Sequence, residues 1–222
     1  MLFDLRSRGR RRAVQVIYGV LALIMVSGLL LVGVGTGNGG GILNAFTNNG
    51  SNSGQKAAVD AQTKAALTET KKDPNSAAAW AALAQARFTA AGEGSNFDTA
   101  TGTYTASGKK QLKAAAPAWS RYLQLTGDKP DISIATLMAE AFAGIPDYAS
   151  EASAWEYVAA AAPNEPKGFM CLAFSAYAAK QTRKAELAAA SALALTPKIQ
   201  QVTVKSELTQ AKSDGAAYAQ SC

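Results

Sequence analysis

Histidine is absent from the 222 residues of this chain. Its absence excludes imidazole acid–base chemistry, Ser-His and Cys-His nucleophiles, and the commonest transition-metal ligand. Cysteine is nearly absent: two residues, Cys171 and Cys222, make one bridge at most and fall short of a four-thiolate zinc site. Aromatic residues are 8% of the chain and charged residues 17%. No cofactor, no metal and no enzymatic activity are expected, and binding is the function class that remains.

Basic charge is also scarce where nucleic acid would need it. Five arginines (Arg6, Arg8, Arg10, Arg11, Arg12) and Asp4 lie in residues 1–12, so residues 13–222 carry 17 basic against 15 acidic side chains, a net of only +2. A phosphate-tracking stripe would have to run through the body of the protein, so no nucleic-acid partner is expected.

What the chain does have is a long apolar run. Ala13 to Val34 carries no charge and includes thirteen Leu, Ile and Val residues. As a helix it spans roughly 33 Å, enough for a hydrocarbon core of about 30 Å. The preceding arginines, residues 1–12, predict a cytoplasmic N-terminus and everything after Val34 on the far side of the membrane. A cleaved signal peptide is the competing reading: the run exceeds a usual signal h-region, although small residues between Gly33 and Gly37 leave cleavage open. Residues 35–54, rich in Gly, Asn and Ser, read as a flexible linker.

Residues 55–222 are Ala- and Leu-rich without alternating β-branched runs, which predicts an all-α domain. Pro130, Pro163 and Pro197 stand 33 and 34 residues apart, and Pro74 precedes Pro130 by 56, which is 34 plus an insertion. Twelve, eight and five residues before the last three prolines stand Ala118, Tyr122 and Leu125; Glu151, Trp155 and Val158; and Ala185, Ala189 and Ala192. Spacings of four and three place each trio on one helical face. After the prolines a second pattern recurs: Trp80, Leu83 and Ala84; Ala135, Met138 and Ala139; Phe169, Leu172 and Ala173.

A period of 34 implies stacked helix pairs, and the pattern resembles the tetratricopeptide repeat (TPR) family. Asp73-Pro74-Asn75 followed by Trp80 and Leu83-Ala84, and Ala185-Glu186-Leu187 running to Thr196-Pro197, carry the resemblance over roughly residues 60–197. Glu151, where a small residue is usual, and Ala176, where an aromatic is usual, depart from it. The resemblance implies a solenoid of about three helix pairs, with a leading helix over 56–72 and a capping helix over 199–219. It also implies a concave face lined by the first helix of each pair. The groove candidates are Gln85 and Phe88, then Thr136 and Glu140, then Lys167, Met170, Phe174 and Tyr177, with core packing an equal reading for the aromatic ones.

The insertion at 91–116 is expected to be a loop or short hairpin beside that groove. Gly102 to Lys109 superficially suggests a phosphate loop, but its spacing fails and no strand precedes it. Asp147 and Glu151 read as a solvated helix start. A bridge between Cys171 and Cys222 is chemically permitted outside the cytoplasm. Their separation weighs against it, and the alternatives are a small buried Cys171 with Cys222 as a free thiol or intermolecular partner. The resulting expectation is a single-pass scaffold of the bacterial cytoplasmic membrane that binds a protein or peptide outside it. A translocon-associated, chaperone-like helper and a self-assembling envelope protein are the alternatives.

Overall fold

The computed structural model describes residues 52–222. The basic segment 1–12, the apolar run 13–34 and almost all of the linker 35–54 lie outside the described residues. No helix among the described residues is long and apolar enough to cross a membrane.

The described chain is all-α apart from a two-strand hairpin. Nine helices follow one another: α1 (Asn52–Lys72), α2 (Ala77–Ala91), α3 (Ala106–Thr126), α4 (Ile132–Ala143), α5 (Tyr148–Ala161), α6 (Pro166–Ala178), α7 (Thr182–Leu195), α8 (Gln201–Ala211) and α9 (Gly215–Ala219). α1 begins inside the expected linker, and its first turn is tied down where Gln55 Nε2 donates to Glu93 Oε1 at 3.1 Å. The helices pack in chain order: α1 on α2, α2 on α3, α4 on α5, α5 on α6 and α6 on α7, with α2 also meeting α4.

Helix starts follow from short polar caps. Ser76, Thr105, Asp131, Asp147 and Asp214 each accept a hydrogen bond from a backbone N–H two or three residues on, satisfying donors that the first turn leaves free. Between α3 and α4 the Asp131 N–H donates to the Tyr122 hydroxyl at 2.8 Å, which fixes the turn before Pro130 reaches the next helix.

The proline-phased positions are core positions. Ala118, Tyr122, Glu151, Trp155, Val158, Ala185, Ala189 and Ala192 are buried, and Leu125 is half-buried. Leu83, Ala84, Ala135, Met138, Ala139, Leu172 and Ala173 are buried with them. Alanine at the contacts lets helix axes approach closely, and larger residues such as Trp119, Met138 and Leu112 fill the spaces between. The Trp119 ring meets Tyr157 edge-on at 5.9 Å, joining α3 to α5.

The insertion splits into two parts. Its first part forms a 3₁₀ turn at Gly94–Asn96 and an antiparallel hairpin, β1 (Phe97–Asp98) with β2 (Thr103–Tyr104). Its second part is helical, because Thr105 caps α3 and starts it ten residues before the expected end of the insertion. Gly108 lets α3 dock against the turn: a Cβ there would strike the Asn96 carbonyl oxygen and press on that of Ala91, both backbone atoms. Gly108→Ala is therefore expected to lower the urea midpoint of the full chain by the equivalent of about 2 kcal/mol with an unchanged slope.

The capping segment also differs from expectation. It is two helices, α8 and α9, broken at Lys212–Asp214. The break turns the chain so that α9 packs on α6, with Gly215 against the backbone of Tyr177 and Ala178, where no side chain would fit. Cys171 of α6 and Cys222 are disulfide-bonded, their Cα atoms 5.7 Å apart, so neither is a free thiol.

Candidate functional site

A cavity of about 310 Å³ opens where the end of α4, the start of α5, the hairpin and α9 converge. Its lining includes Tyr104, Lys109, Glu140, Glu151 and Trp155, closed on one side by Gln220 and Cys222.

Glu151 is the feature that sets this cavity apart from ordinary packing. It lies in the first turn of α5, one turn after Asp147, whose carboxylate caps the helix by accepting from the Ser150 N–H at 3.3 Å. Asp147 thus behaves as a helix start should, but Glu151 is 0% exposed and is a correction to the solvated reading of the pair. Asp147 is the cap and stands ahead of the helix, whereas Glu151, one turn in, packs against α6, where Ser175 donates to it.

One oxygen of Glu151 is satisfied. Ser175, itself buried in α6, donates from Oγ to Glu151 Oε1 at 2.7 Å, and the same Oγ lies 2.8 Å from the Cys171 carbonyl oxygen. A hydroxyl has one proton, so the two contacts alternate. With Glu151 ionised, Ser175 donates to it; with Glu151 protonated at Oε1, the acid donates to Ser175, whose proton goes to Cys171. Both protonation states are therefore accommodated at Oε1.

The other oxygen is not satisfied. Glu151 Oε2 is buried without a hydrogen-bond partner, and so is the indole Nε1 of Trp155, one turn along the same helix and 2% exposed. Burial pushes the Glu151 carboxyl up to about 7, and the charge of Asp147 adds to the rise; the Ser175 hydroxyl and the nearby Trp155 indole oppose it. Trp155 is close enough to favour the ionised form yet does not meet the carboxyl at hydrogen-bonding geometry. Among the described residues no cation forms an ion pair with Glu151.

At the rim, partial desolvation raises the Glu140 carboxyl and Lys167 of α6 opposes the rise, so these side chains of α4 and α6 lie within electrostatic reach. Desolvation, with the charge of Glu140, raises the Tyr104 phenol as well.

Of the eight groove candidates, only Glu140 lines the cavity. Lys167 is exposed beside it; Gln85 and Thr136 are half-buried, and the Thr136 hydroxyl is spent on the Ile132 carbonyl at 2.8 Å. Phe88, Met170 and Tyr177 are half-buried against the core. Tyr177 keeps a buried, unpartnered hydroxyl, raised by desolvation and by Glu186. Phe174 is 2% exposed, covered by Tyr218 of α9 with ring centroids 5.1 Å apart. Glu151, Trp155, Tyr104 and Lys109 went unnoticed as cavity residues. For Glu151 the signal was present: its register matches the core alanines Ala118 and Ala185.

A second, apolar groove of about 660 Å³ lies between α5, α6 and α7, lined by Phe169, Leu172 and the exposed Leu187, with Lys184 and Glu156 paired at 2.8 Å. Among the described residues no cluster of three or more potential metal ligands occurs. Comparison with family models, with curated proteins and with solved structures finds no match for this chain.

Proposed function

We propose that this chain is a membrane-tethered, TPR-like scaffold that binds a protein or peptide partner on the outer side of the cytoplasmic membrane. The apolar run Ala13–Val34 would hold it at the bilayer, and residues 35–51 would give the helical domain reach, raising the local concentration of partner at the membrane. Helix pairs packed in chain order support the repeat reading, as does the burial of nearly every proline-phased position.

The observation that carries a binding role is the open cavity with Lys109, Glu140 and Glu151 in its lining. Buried polar groups are ordinarily hydrogen-bonded, and leaving one unpaired costs on the order of 1–3 kcal/mol. Glu151 and Trp155, which each carry such a group, both belong to the lining of one cavity at the junction of four elements. Pockets with convergent polar atoms and a perturbed titrating group are where binding concentrates.

In-cell crosslinking and pull-down of the full-length chain tests the reading. One dominant envelope partner, lost in Glu140→Ala or Lys167→Ala while the protein stays folded, supports it. Phe174→Ala, by contrast, is expected to destabilise the fold by about 3–4 kcal/mol, because that ring is core. A broad range of exported chains together with translocon subunits would assign the chaperone-like role instead. No captured partner in either form overturns both.

A further inference from the structure

We infer that the outer face of α8 and the turn leading into it, centred on Ile199 and Val202, docks onto an anionic phospholipid surface. The inference goes beyond the scaffold reading. It states which face the domain turns to a bilayer, and it uses the tether only to supply local concentration.

Two asymmetries coincide on this face, and the first is apolar exposure. Ile199 is 90% exposed and Val202 82%, more than any other large hydrophobic side chain among the described residues. A single exposed aliphatic residue is ordinary, but these two are neighbours. The Gln200 N–H donates to the Pro197 carbonyl at 2.8 Å and the Val204 N–H to that of Gln200 at 3.1 Å, so the chain already turns helically from Pro197. A spacing of three then puts Ile199 and Val202 on one side, flanked by Lys198 and Lys205, and all four are exposed. On the inward side Val204, Leu208 and Ala211 join the core. Gln201 Nε2 donates to the Leu193 and Thr196 carbonyls at 3.3 and 3.0 Å, fastening the turn to the end of α7. A fixed corner of the fold presents the apolar pair.

The second asymmetry is charge. Residues 180–212 carry six basic side chains against two acidic ones, whereas the rest of residues 13–222 carries eleven against thirteen. Ion pairs absorb part of this: Lys184 pairs with Glu156 and Lys212 with Glu186. Lys180, Arg183, Lys198 and Lys205 have no ion pair among the described residues, and the one acid left in the segment is the half-buried Glu207. The elements packed on α8 add Lys167 from α6, Glu165 ahead of it, and Asp214, whose carboxylate caps α9, so the balance around α8 stays positive.

The combination selects the partner. Nucleic acid would use the cations and leave Ile199 and Val202 in water. A protein interface draws on aromatic and arginine anchors and is poor in lysine; this face has two lysines, two aliphatic residues, Thr203 and Ser206. A bilayer takes both parts, because aliphatic side chains enter the acyl boundary while lysine stems follow and keep their ammonium groups among the phosphates. Each cation near an anionic surface contributes about fivefold in affinity.

The test places the full-length chain, with ¹³C-labelled Ile and Val methyl groups, in nanodiscs of phosphatidylcholine alone or with added phosphatidylglycerol, each doped with a nitroxide lipid. Docking is read as broadening of the Ile199 and Val202 signals relative to Ile132, an exposed isoleucine of α4. Strong broadening of both in the anionic discs, and little in phosphatidylcholine, is the expected result. It should vanish when salt is raised from ~0.1 to ~1 M, which shortens the screening length from about 10 to about 3 Å. Lys198→Gln combined with Lys205→Gln is expected to lower the ratio of docked to free domain roughly twentyfold. Ile199→Ser, read at Val202, should lower it about tenfold, and both variants keep the wild-type melting temperature because the sites are exposed. Equal broadening in the two lipid compositions, or broadening no greater than that of Ile132, would overturn the assignment. Loss of a captured protein partner in Ile199→Ser, with no lipid effect, would make the face a protein interface instead. Retention by the phosphatidylcholine discs is scored separately. A retained chain without Ile199 broadening in anionic discs keeps the tether and overturns the docking; a chain not retained there but broadened by anionic discs keeps the docking without the tether.

Discussion

Replacing Cys222 with serine is expected to lower the unfolding free energy by about 4 kcal/mol and the melting temperature by roughly 8–16 °C. The bridge joins residues 51 apart in sequence, and closing a loop of that length removes conformational entropy from the unfolded chain worth ~4 kcal/mol in the chain-entropy description. The native state adds to the effect. α9 has only five residues, too few to be stable alone, and it stays on α6 through Gly215, the Phe174–Tyr218 contact and the disulfide. Thermal unfolding of the wild type with and without reductant, beside Cys222→Ser, checks this. The reductant is expected to bring the wild type down to the variant and to leave the variant unmoved. A variant melting within a degree or two of the oxidised wild type would show that α9 is held by packing alone.

The same bond explains why part of the site escaped the sequence. Lys167, Met170, Phe174 and Tyr177 follow one another at helical spacing, so they read as one exposed stripe. Whether such a stripe is open depends on what lands on it, and α9 comes from about forty residues further on. Nothing local to α6 announces that cover; the break at Lys212–Asp214 and the small Gly215 that permits the approach become meaningful only once the helices are placed. Likewise the insertion held a hairpin, as composition suggested, but Thr105 as a cap lengthened α3 in a way that spacing to Pro130 could not reveal. Core positions were more readable because helical period and proline spacing are local properties repeated three times. Glu151 belonged to that readable set. It occupies the register of Ala118 and Ala185, both buried, and a carboxylate at a core register is itself a signal. Judging it by its neighbour Asp147, a true helix cap, concealed that.

Glu151→Gln is expected to be more stable than the wild type at high pH and about equal to it at low pH. The folded-state value of about 7 lies above the ordinary 4.5 because burial disfavours the charged form. Below about pH 4.5 the group is protonated whether the chain is folded or not and makes no difference. Between about 4.5 and 7 the folded state holds a proton that the unfolded state has released, so stability falls as pH rises. Above about 7 the group is ionised in both states and the full penalty, about 3 kcal/mol, persists. Glutamine keeps the shape and cannot ionise, so the difference between the two proteins should open through that window by about 3 kcal/mol in favour of the variant. Other carboxyl groups, including the raised Glu140, are common to both and cancel in the comparison. Urea unfolding of both proteins at pH 4 and at pH 8 measures it, and parallel stabilities across the range would show that water already reaches the carboxyl. The two large effects are coupled through the cavity wall. Cys222 and Gln220 close one side of it, so releasing α9 admits water to Glu151, and the pH-dependent gap is expected to shrink in the Cys222→Ser background.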